Sequence, residues 1–560
     1  MMDRRTFLGT ATLLAGEVTV LRAQEKPVSK PKSGKHLAGK GLCIAPDFQA
    51  AVVGAEMLQR GGNAFDALIA AAFMEAVISP ANCGIGGYAA TGIAFDAKAA
   101  KVVAIDANAV APAAATPEIF PVISTPGSFD YKLPDGKHKT GVLSVAVPGV
   151  LAGLLHWVDR FGSLDRRTIM GPAIRQARDG IRLDKVQSRT WLQLRAEGLG
   201  EMLTNLAEIP DVIPMDELAD SLEAIAEEGV SVFYSGHIGR TIVDHLRKRG
   251  GILTNQDFEA YLPLDVNPVS VNVRQHQVFA PPPSSGGLTS LQMAALYDRL
   301  AAEAPLPKPG TAESIEFSIE IAKAVWAERL TTLGDPRAMT VEPQSLLEES
   351  HLNQLLARIR EGLRKPSPGK LIAPDPLRGT VHLIAADAAG NVVSWTQTHG
   401  GGFGSRVMVP GTGIVLGHGM CRFEPRPGWV NSVGPGKRPL HNMCPVLGLR
   451  EGKPVIAAGA AGGRTIVNNS AALLINRLIN GLNAVDSVTT PRVQCESLEP
   501  ALLEETIGDG VVNSLRDRGH LVKTVPRDAG TAHLLVRDQG EWHGAAESRV
   551  PKATVAVPGD

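Results

Sequence analysis

Thr380-Val-His-Leu-Ile-Ala-Ala386, followed after a short gap by Val392-Val-Ser-Trp-Thr-Gln-Thr398, is the stretch whose reading decides how this chain folds. Both segments favour β-branched and other apolar residues and carry almost no polar face, so each is predicted to be a strand. Strands apolar on both sides belong in a sheet that is covered on both sides. Between them, Asp387-Ala-Ala-Gly390-Asn391 supplies the turn residues of a hairpin loop. If Ala386 and Val392 close that loop as partners, stepping outward places Thr380 opposite Thr398. Directly opposed side chains lie about 4.5–5.5 Å apart at Cβ, so two hydroxyls would meet at the start of the first strand. A slip of one residue would part them.

A threonine hydroxyl is a poor nucleophile until a base takes its proton. When threonine is the first residue of a chain, its own α-amine can do so. Here that requires cutting the Gly379–Thr380 bond, and Gly379 offers no side chain to block attack on its carbonyl. The same residues also suit a plain loop-to-strand junction, and spacing alone favours that plainer reading. Gly459-Ala-Ala-Gly462-Gly463-Arg464-Thr465 lies between a predicted strand and a predicted helix. Backbone N–H groups at such a turn suit an oxyanion hole; a phosphate loop is the rival, but the Lys-Ser/Thr ending is missing. Gly400-Gly401-Gly402-Phe403-Gly404-Ser405 also reads as a flexible turn.

Upstream, Asp47 is placed to cap a helix over Phe48–Arg60, stopped by Gly61-Gly62. Asn63 caps a second helix, Ala64–Ile78, with Asp66 three residues on as in a capping box. That helix is apolar nearly all round and is predicted to be buried; Asp66, Glu75 and its short length argue against a membrane span. Strands follow at Thr91–Phe95 and Val102–Asp106. From Val147 to about Val341 the pattern is mostly helical, including Gly149–Phe161, Ile169–Asp179, Ile238–Arg249 and Ala312–Leu333. Pro281–Gly287 is too stiff and too Gly-rich for helix or central strand. Residues 344–379 read as a helix and then a linker, Lys365-Pro366-Ser367-Pro368-Gly369-Lys370. Strands at Gly413–Leu416, Val446–Leu449 and Pro454–Ala458, with a helix over Ile466–Leu482, complete a layered body of helices and sheets.

The 560 residues are 44% hydrophobic and 20% charged, ordinary values for a globular enzyme. Lys and Arg number 56 against 57 Asp and Glu, which leaves no net field to draw nucleic acid or an anionic membrane. Five cysteines (Cys43, Cys83, Cys421, Cys444, Cys495) are too few and too scattered for a disulfide framework and read as buried small hydrophobes or single bridges. The fourteen histidines show no metal-ligand spacing, and neither a metal nor an organic cofactor is expected. At the start, Asp3-Arg4-Arg5-Thr6-Phe7-Leu8 carries a twin-arginine pair before a short apolar run, with a cleavage point after Ala23. Residues 1–23 therefore read as an export signal, which predicts a periplasmic or secreted protein without membrane insertion.

With these residues in view the sequence resembles the gamma-glutamyltranspeptidase (glutathione hydrolase) family of N-terminal nucleophile hydrolases. The likeness runs from about Gly41 to the C-terminus. It rests on Gly61-Gly-Asn-Ala-Phe-Asp-Ala67, Val147-Pro-Gly-Val-Leu-Ala-Gly153, Phe233-Tyr-Ser-Gly236, Pro281–Gly287, Leu333-Gly-Asp-Pro336, Gly379-Thr-Val-His382, Gly434-Pro-Gly-Lys-Arg-Pro439 and Ala461-Gly-Gly463. That many matches in order tip the Gly-Thr junction toward the catalytic reading. The resemblance implies an αββα sandwich, a cleavage site at Gly379 and Thr380, and Thr380 as nucleophile. It further implies Thr398 as the supporting hydroxyl and Gly462 with Gly463 as the oxyanion hole. Residues 24–379 and 380–560 would form the large and small chains of a heterodimer acting on a small-molecule amide or gamma-glutamyl substrate.

The departures fall in the donor pocket. The family's carboxylate-gripping arginine is replaced by Asn108, and its ammonium-gripping acid by Arg422. Neighbouring amide-bearing positions read as Gly400 and Gly419, the serine pair becomes His441-Asn442, and the lid loop between Phe423 and Gly434 is short. A cation facing a substrate ammonium is unfavourable, which points to a donor lacking one, such as a glutaryl or oxamate acyl group. Two other readings fit the same residues: a genuine glutathione hydrolase/gamma-glutamyltransferase with a rearranged clamp, and a non-catalytic binding protein on the same fold.

Overall fold

The computed structural model describes residues 30–122, 136–183, 212–303, 305–365, 379–527 and 530–559. The expected export signal and residues 366–370 of the expected linker lie outside them. Gly379–Ala386 and Val392–Gly400 form the centre of an eight-stranded antiparallel sheet. Its order is Lys32–Gly34, Thr554–Val557, Leu42–Ala45, Gly379–Ala386, Val392–Gly400, Ala89–Asp96, Lys101–Ala107 and Leu264–Val266. A second, seven-stranded antiparallel sheet runs His36–Gly39, Glu541–Ala545, Thr531–Asp538, Lys453–Ala461, Val446–Arg450, His276–Ala280 and Val269–Val273.

Three apolar clusters show how the layers stack. Val381, Leu383 and Ala385 pack with the helices Phe48–Gln59, Ala64–Ile78 and Val150–Phe161 on the outside of the first sheet. Ile384, Ala386 and Val392 turn the other way, against Leu447, Ala457 and Leu535 of the second sheet. Ala458, Ala460 and Leu534 of the second sheet then meet Gly287–Glu303, Ala312–Thr332 and Thr465–Leu474. Successive side chains of a strand point to opposite faces, so an all-apolar strand must find a core on each side. The result is the expected αββα sandwich.

All fifteen residues of Ala64–Ile78 are buried, and the Asn63–Asp66 capping box forms at its start. The Asp387 carboxylate accepts from Ala64 N–H at 2.9 Å and from Asn391 Nδ2 at 2.7 Å, tying the central hairpin loop to that capped terminus. Residues 147–341 are mostly helical, as expected, and also hold a ribbon over Leu264–Val266, Val269–Val273 and His276–Ala280 that supplies an edge strand to each sheet. Its strands are short and half exposed, so their apolar signal is thin. The helix expected to reach Leu482 leaves α geometry after Leu474 and turns through a π segment at Ile475–Ile479. None of the five cysteines is in a disulfide, and four of them are buried. No described helix is long and apolar enough to cross a membrane.

Candidate active site

The central hairpin keeps the expected register from Ala386 opposite Val392 outward to Val381 opposite Gln397. Beyond that point a bulge shifts it, and Gly379 faces Gly400. Thr380 lies within the bulge, yet its Oγ1 is 2.9 Å from Thr398 Oγ1. Thr380 Oγ1 is also 2.7 Å from the Gly379 carbonyl oxygen, and the Thr398 hydroxyl donates to that same oxygen. Gly400 N–H donates to Thr398 Oγ1 at 2.7 Å. One assignment satisfies every group: Thr380 O–H donates to Thr398, and Thr398 O–H donates to the carbonyl. Thr398 is thus an acceptor for Thr380 and a donor to the carbonyl that Thr380 touches. A Cβ on Gly379 would come within 2.6 Å of the Gly401 carbonyl, so this position has room only for glycine.

The second sheet aligns its own turn with this end. Ser394 Oγ donates to the Ala458 carbonyl at 3.2 Å, and a Cβ on Gly459 would overlap the His382 ring. Contacts therefore advance from 458 to 459 as the hairpin advances from Ser394 to the His382–Thr396 pair. Continued in that direction, Gly462 and Gly463 emerge at the same end of the sandwich as Thr380 and Thr398. Their φ values of +132° and +69° are ones side-chain-bearing residues rarely adopt. They lead into the helix Thr465–Leu474, where first-turn N–H groups lack intrahelical partners.

The positions read from the sequence as the donor pocket lie near one another, beginning at Gly400 beside Thr398. Gly400 has φ +103°; a Cβ there would overlap the His418 ring and lie 3.2 Å from Arg422 Nη2. Arg422 also lies over the Tyr88 ring at 5.9 Å, and its Nη2 is 3.4 Å from His418 Nε2. Arginine only donates, so His418 Nε2 accepts and its Nδ1–H donates to the Lys139 carbonyl at 3.0 Å. Gly419 begins the same turn, and its Cβ would press on Ala109, the neighbour of Asn108. Asn108 is buried; its Nδ2 donates to Ser284 Oγ at 2.8 Å and to the Pro439 carbonyl at 2.6 Å. Its own carbonyl accepts from Arg438, which pairs with Asp106 at 3.3 Å.

His441 is fully buried. Burial, reinforced by the charges of Arg329, Arg422 and Arg438, lowers its pKa to about 3, so the ring is neutral. The backbone N–H of His441 donates to the Ser284 carbonyl. Arg329 Nη2 bonds the His441 carbonyl at 2.7 Å and Asn442 Oδ1 at 3.2 Å. Arg329 itself is buried without a carboxylate partner among the described residues, and burial brings its pKa down to about 10. The short loop after Phe423 folds on itself: Ser432 Oγ donates to the Arg426 carbonyl, and Lys437 Nζ to the Val430 and Ser432 carbonyls.

Sequence reasoning assigned no role to Arg329, Tyr88 or His418. Ser284 and Arg438 lay inside motifs that had been noted, also without a role. Among the described residues, Glu320, Glu499 and His520 are the group that brings metal-ligating atoms together. Lys323 already bridges the two carboxylates, and both His520 nitrogens bond carboxylates, so protein cations fill that cluster.

Two antiparallel sheets stacked between helical layers define the fold of the N-terminal nucleophile hydrolases. The family model described as Gamma-glutamyltranspeptidase matches residues 50–557, and the chain belongs to that family of amidohydrolases. It is 30% identical to the glutathione hydrolase proenzyme of Escherichia coli (strain K12), over 91% of each chain. It is likewise 30% identical to the acylase ACY 1 proenzyme of Pseudomonas sp. (strain SE83), over 95% of each. Cephalosporin acylase from Bacillus halodurans superimposes with a TM-score of 0.83 at 26% identity, covering 96% of this chain and 99% of that one.

Proposed function

We propose that the protein is an exported proenzyme that cuts its own Gly379–Thr380 bond and then uses Thr380 to hydrolyse or transfer an acyl group held in amide linkage. The observation that carries this is the convergence of two hydroxyls on one carbonyl: Thr380 Oγ1 lies 2.9 Å from Thr398 Oγ1, and both contact the Gly379 oxygen. Thr380 Oγ attacks the Gly379 carbonyl carbon, passing its proton toward Thr398, and the hydrogen bond from Thr398 draws charge onto the carbonyl oxygen. The acyl group moves from nitrogen to oxygen while the departing amide nitrogen takes up a proton. Water then hydrolyses the ester, leaving a carboxylate on Gly379 and a free amine and hydroxyl on Thr380.

In the mature enzyme that amine is the base for the second attack, now on substrate, and Gly462 and Gly463 donate N–H groups to the oxyanion. Residues 24–379 and 380–560 remain together as a heterodimer, and residues 1–23 direct export. With Arg422 beside Gly400 and Arg329 behind His441, the donor pocket is cationic. It suits an acyl group that ends in a carboxylate and carries no ammonium. The test is intact mass after expression, then turnover of gamma-glutamyl- against glutaryl-p-nitroanilide. Two chains split before Thr380 and a preference for the glutaryl compound are expected. A preference for the gamma-glutamyl compound would make this a glutathione hydrolase with a rearranged clamp; a chain that stays whole would make it a binding protein.

A further inference from the structure

The turn proposed to serve the oxyanion has no side chains of its own to hold it. Gly462 and Gly463 both sit at positive φ, and glycine is the residue with the most backbone freedom to lose. Such donors stabilise a transition state when they are fixed before the reaction begins, so neighbouring residues must fix them. Thr465 Oγ1 donates to the Gly462 carbonyl at 3.0 Å, which ties the turn to the first residue of the helix Thr465–Leu474.

Trp326 holds the same segment from another helix, Ala312–Thr332, and is 1% exposed. Its indole Nε1–H donates to Asn468 Oδ1 at 2.8 Å, about one turn into the helix that follows the glycines. Asn468 Nδ2 donates to the Cys495 carbonyl at 2.7 Å, which fixes the amide with its oxygen toward the indole. Arg464, the residue directly after Gly463, has its guanidinium carbon 5.1 Å from the centre of the Trp326 ring. Tryptophan is the aromatic side chain best suited to such a contact. An indole thus adds two things an aliphatic core residue lacks, an N–H and a wide π face, and both meet the segment that carries the glycines. Arg329 also lies against the ring, at 5.5 Å, and bonds the His441 carbonyl on the donor side.

Building on the Thr380 reading above, we infer that Trp326 is a positioning residue for the oxyanion turn, holding Gly462 and Gly463 in place through Asn468 and Arg464. The proposed cut puts Trp326 on the large chain and the turn on the small one. The large chain then sets the geometry of donors that it does not itself contain. A misplacement of about 1 Å in such a group costs about 10²-fold in rate.

The experiment makes Trp326→Phe, which removes the N–H and keeps a ring, Asn468→Ala, which removes its acceptor, and the two together. Kinetics are read on gamma-glutamyl- or glutaryl-p-nitroanilide, whichever the unaltered enzyme turns over faster, with processed enzyme counted by intact mass. Each single variant is expected to lower kcat about ten- to a hundredfold with KM within about twofold. The double variant should be no slower than the slower single, because both break one link. A purely structural tryptophan would lower the melting temperature and leave kcat per processed enzyme unchanged, and action through Arg329 would raise KM alone. Either result overturns the assignment and leaves Thr380 as nucleophile. If Trp326→Phe does not fold or is not cut, Arg464→Gln at the partly exposed end of the link takes its place, with the same loss of kcat expected and an unchanged kcat overturning the assignment. An unaltered chain that is never cut overturns the Thr380 reading itself.

Discussion

Thr380, Thr398 and Gly400 act as one unit, and each makes a separate prediction. Thr380→Ala removes the oxygen proposed to attack and should give a single uncut chain by electrophoresis, whereas Thr380→Ser keeps the oxygen and should still cut. Thr398→Val keeps the shape but removes both the acceptor for Thr380 and the donor to the Gly379 carbonyl. Loss of one such transition-state donor costs about 10²–10³-fold in rate, so maturation followed by intact mass should slow on that scale. Gly400→Ala meets two obstacles, a positive φ and overlap with His418. A lowered melting temperature is expected, corresponding to about 2 kcal/mol or more, and, if Arg422 serves the donor as proposed, weaker donor binding as well, since Arg422 bonds His418.

At the level of elements, the meeting of the sheets near the site depends on His382 fitting over a glycine. The His382 ring is buried, bonds Thr396 Oγ1 at 2.9 Å and occupies the space a Cβ on Gly459 would take. Burial holds its pKa near 3, so it stays neutral. Gly459→Ala should push the strand Lys453–Ala461 away from the hairpin, and with it the Gly462-Gly463 turn. Overpacking of this kind costs about 1–3 kcal/mol. If Gly462 and Gly463 serve the oxyanion, kcat should fall more than KM rises; steady-state kinetics on the processed enzyme reads the difference. The Asn63 capping box is a milder case: Asn63→Ala should cost about 1 kcal/mol by denaturant unfolding and leave processing intact.

Across the whole molecule, a buried ionic cluster ties the helix Ala312–Thr332 to residues 499–520, which the proposed cleavage would put on different chains. His520 bonds Glu499 at 2.9 Å and Glu316 at 3.2 Å, Lys323 joins Glu320 to Glu499, and Arg518 pairs with Glu316. Hydrogen bonds and attraction from Glu316 and Glu499 outweigh burial and raise the His520 pKa from 6.5 to about 9. A raised folded-state pKa means this contribution is complete below about 6.5, shrinks above it, and is gone once the pH has risen through about 9. Melting temperature should therefore fall across that window, and His520→Gln, which carries no titrating charge, should flatten the fall.

The sequence by itself determined the hairpin, its facing threonines, the capped and buried helix Ala64–Ile78 and the layered plan, because these follow from local periodicity and turn chemistry. It did not reveal the bulge at Gly379, since a register shift is settled by packing against Ala81 and Gly401 rather than by the strand's own residues. It marked Asn108, Arg422, His441 and Asn442 as substitutions but not what surrounds them. Only the tertiary structure brought Arg329, Tyr88 and His418 beside them, from segments with no pattern in common. A pocket's charge is a sum over side chains that approach through space, and no spacing along the chain encodes it.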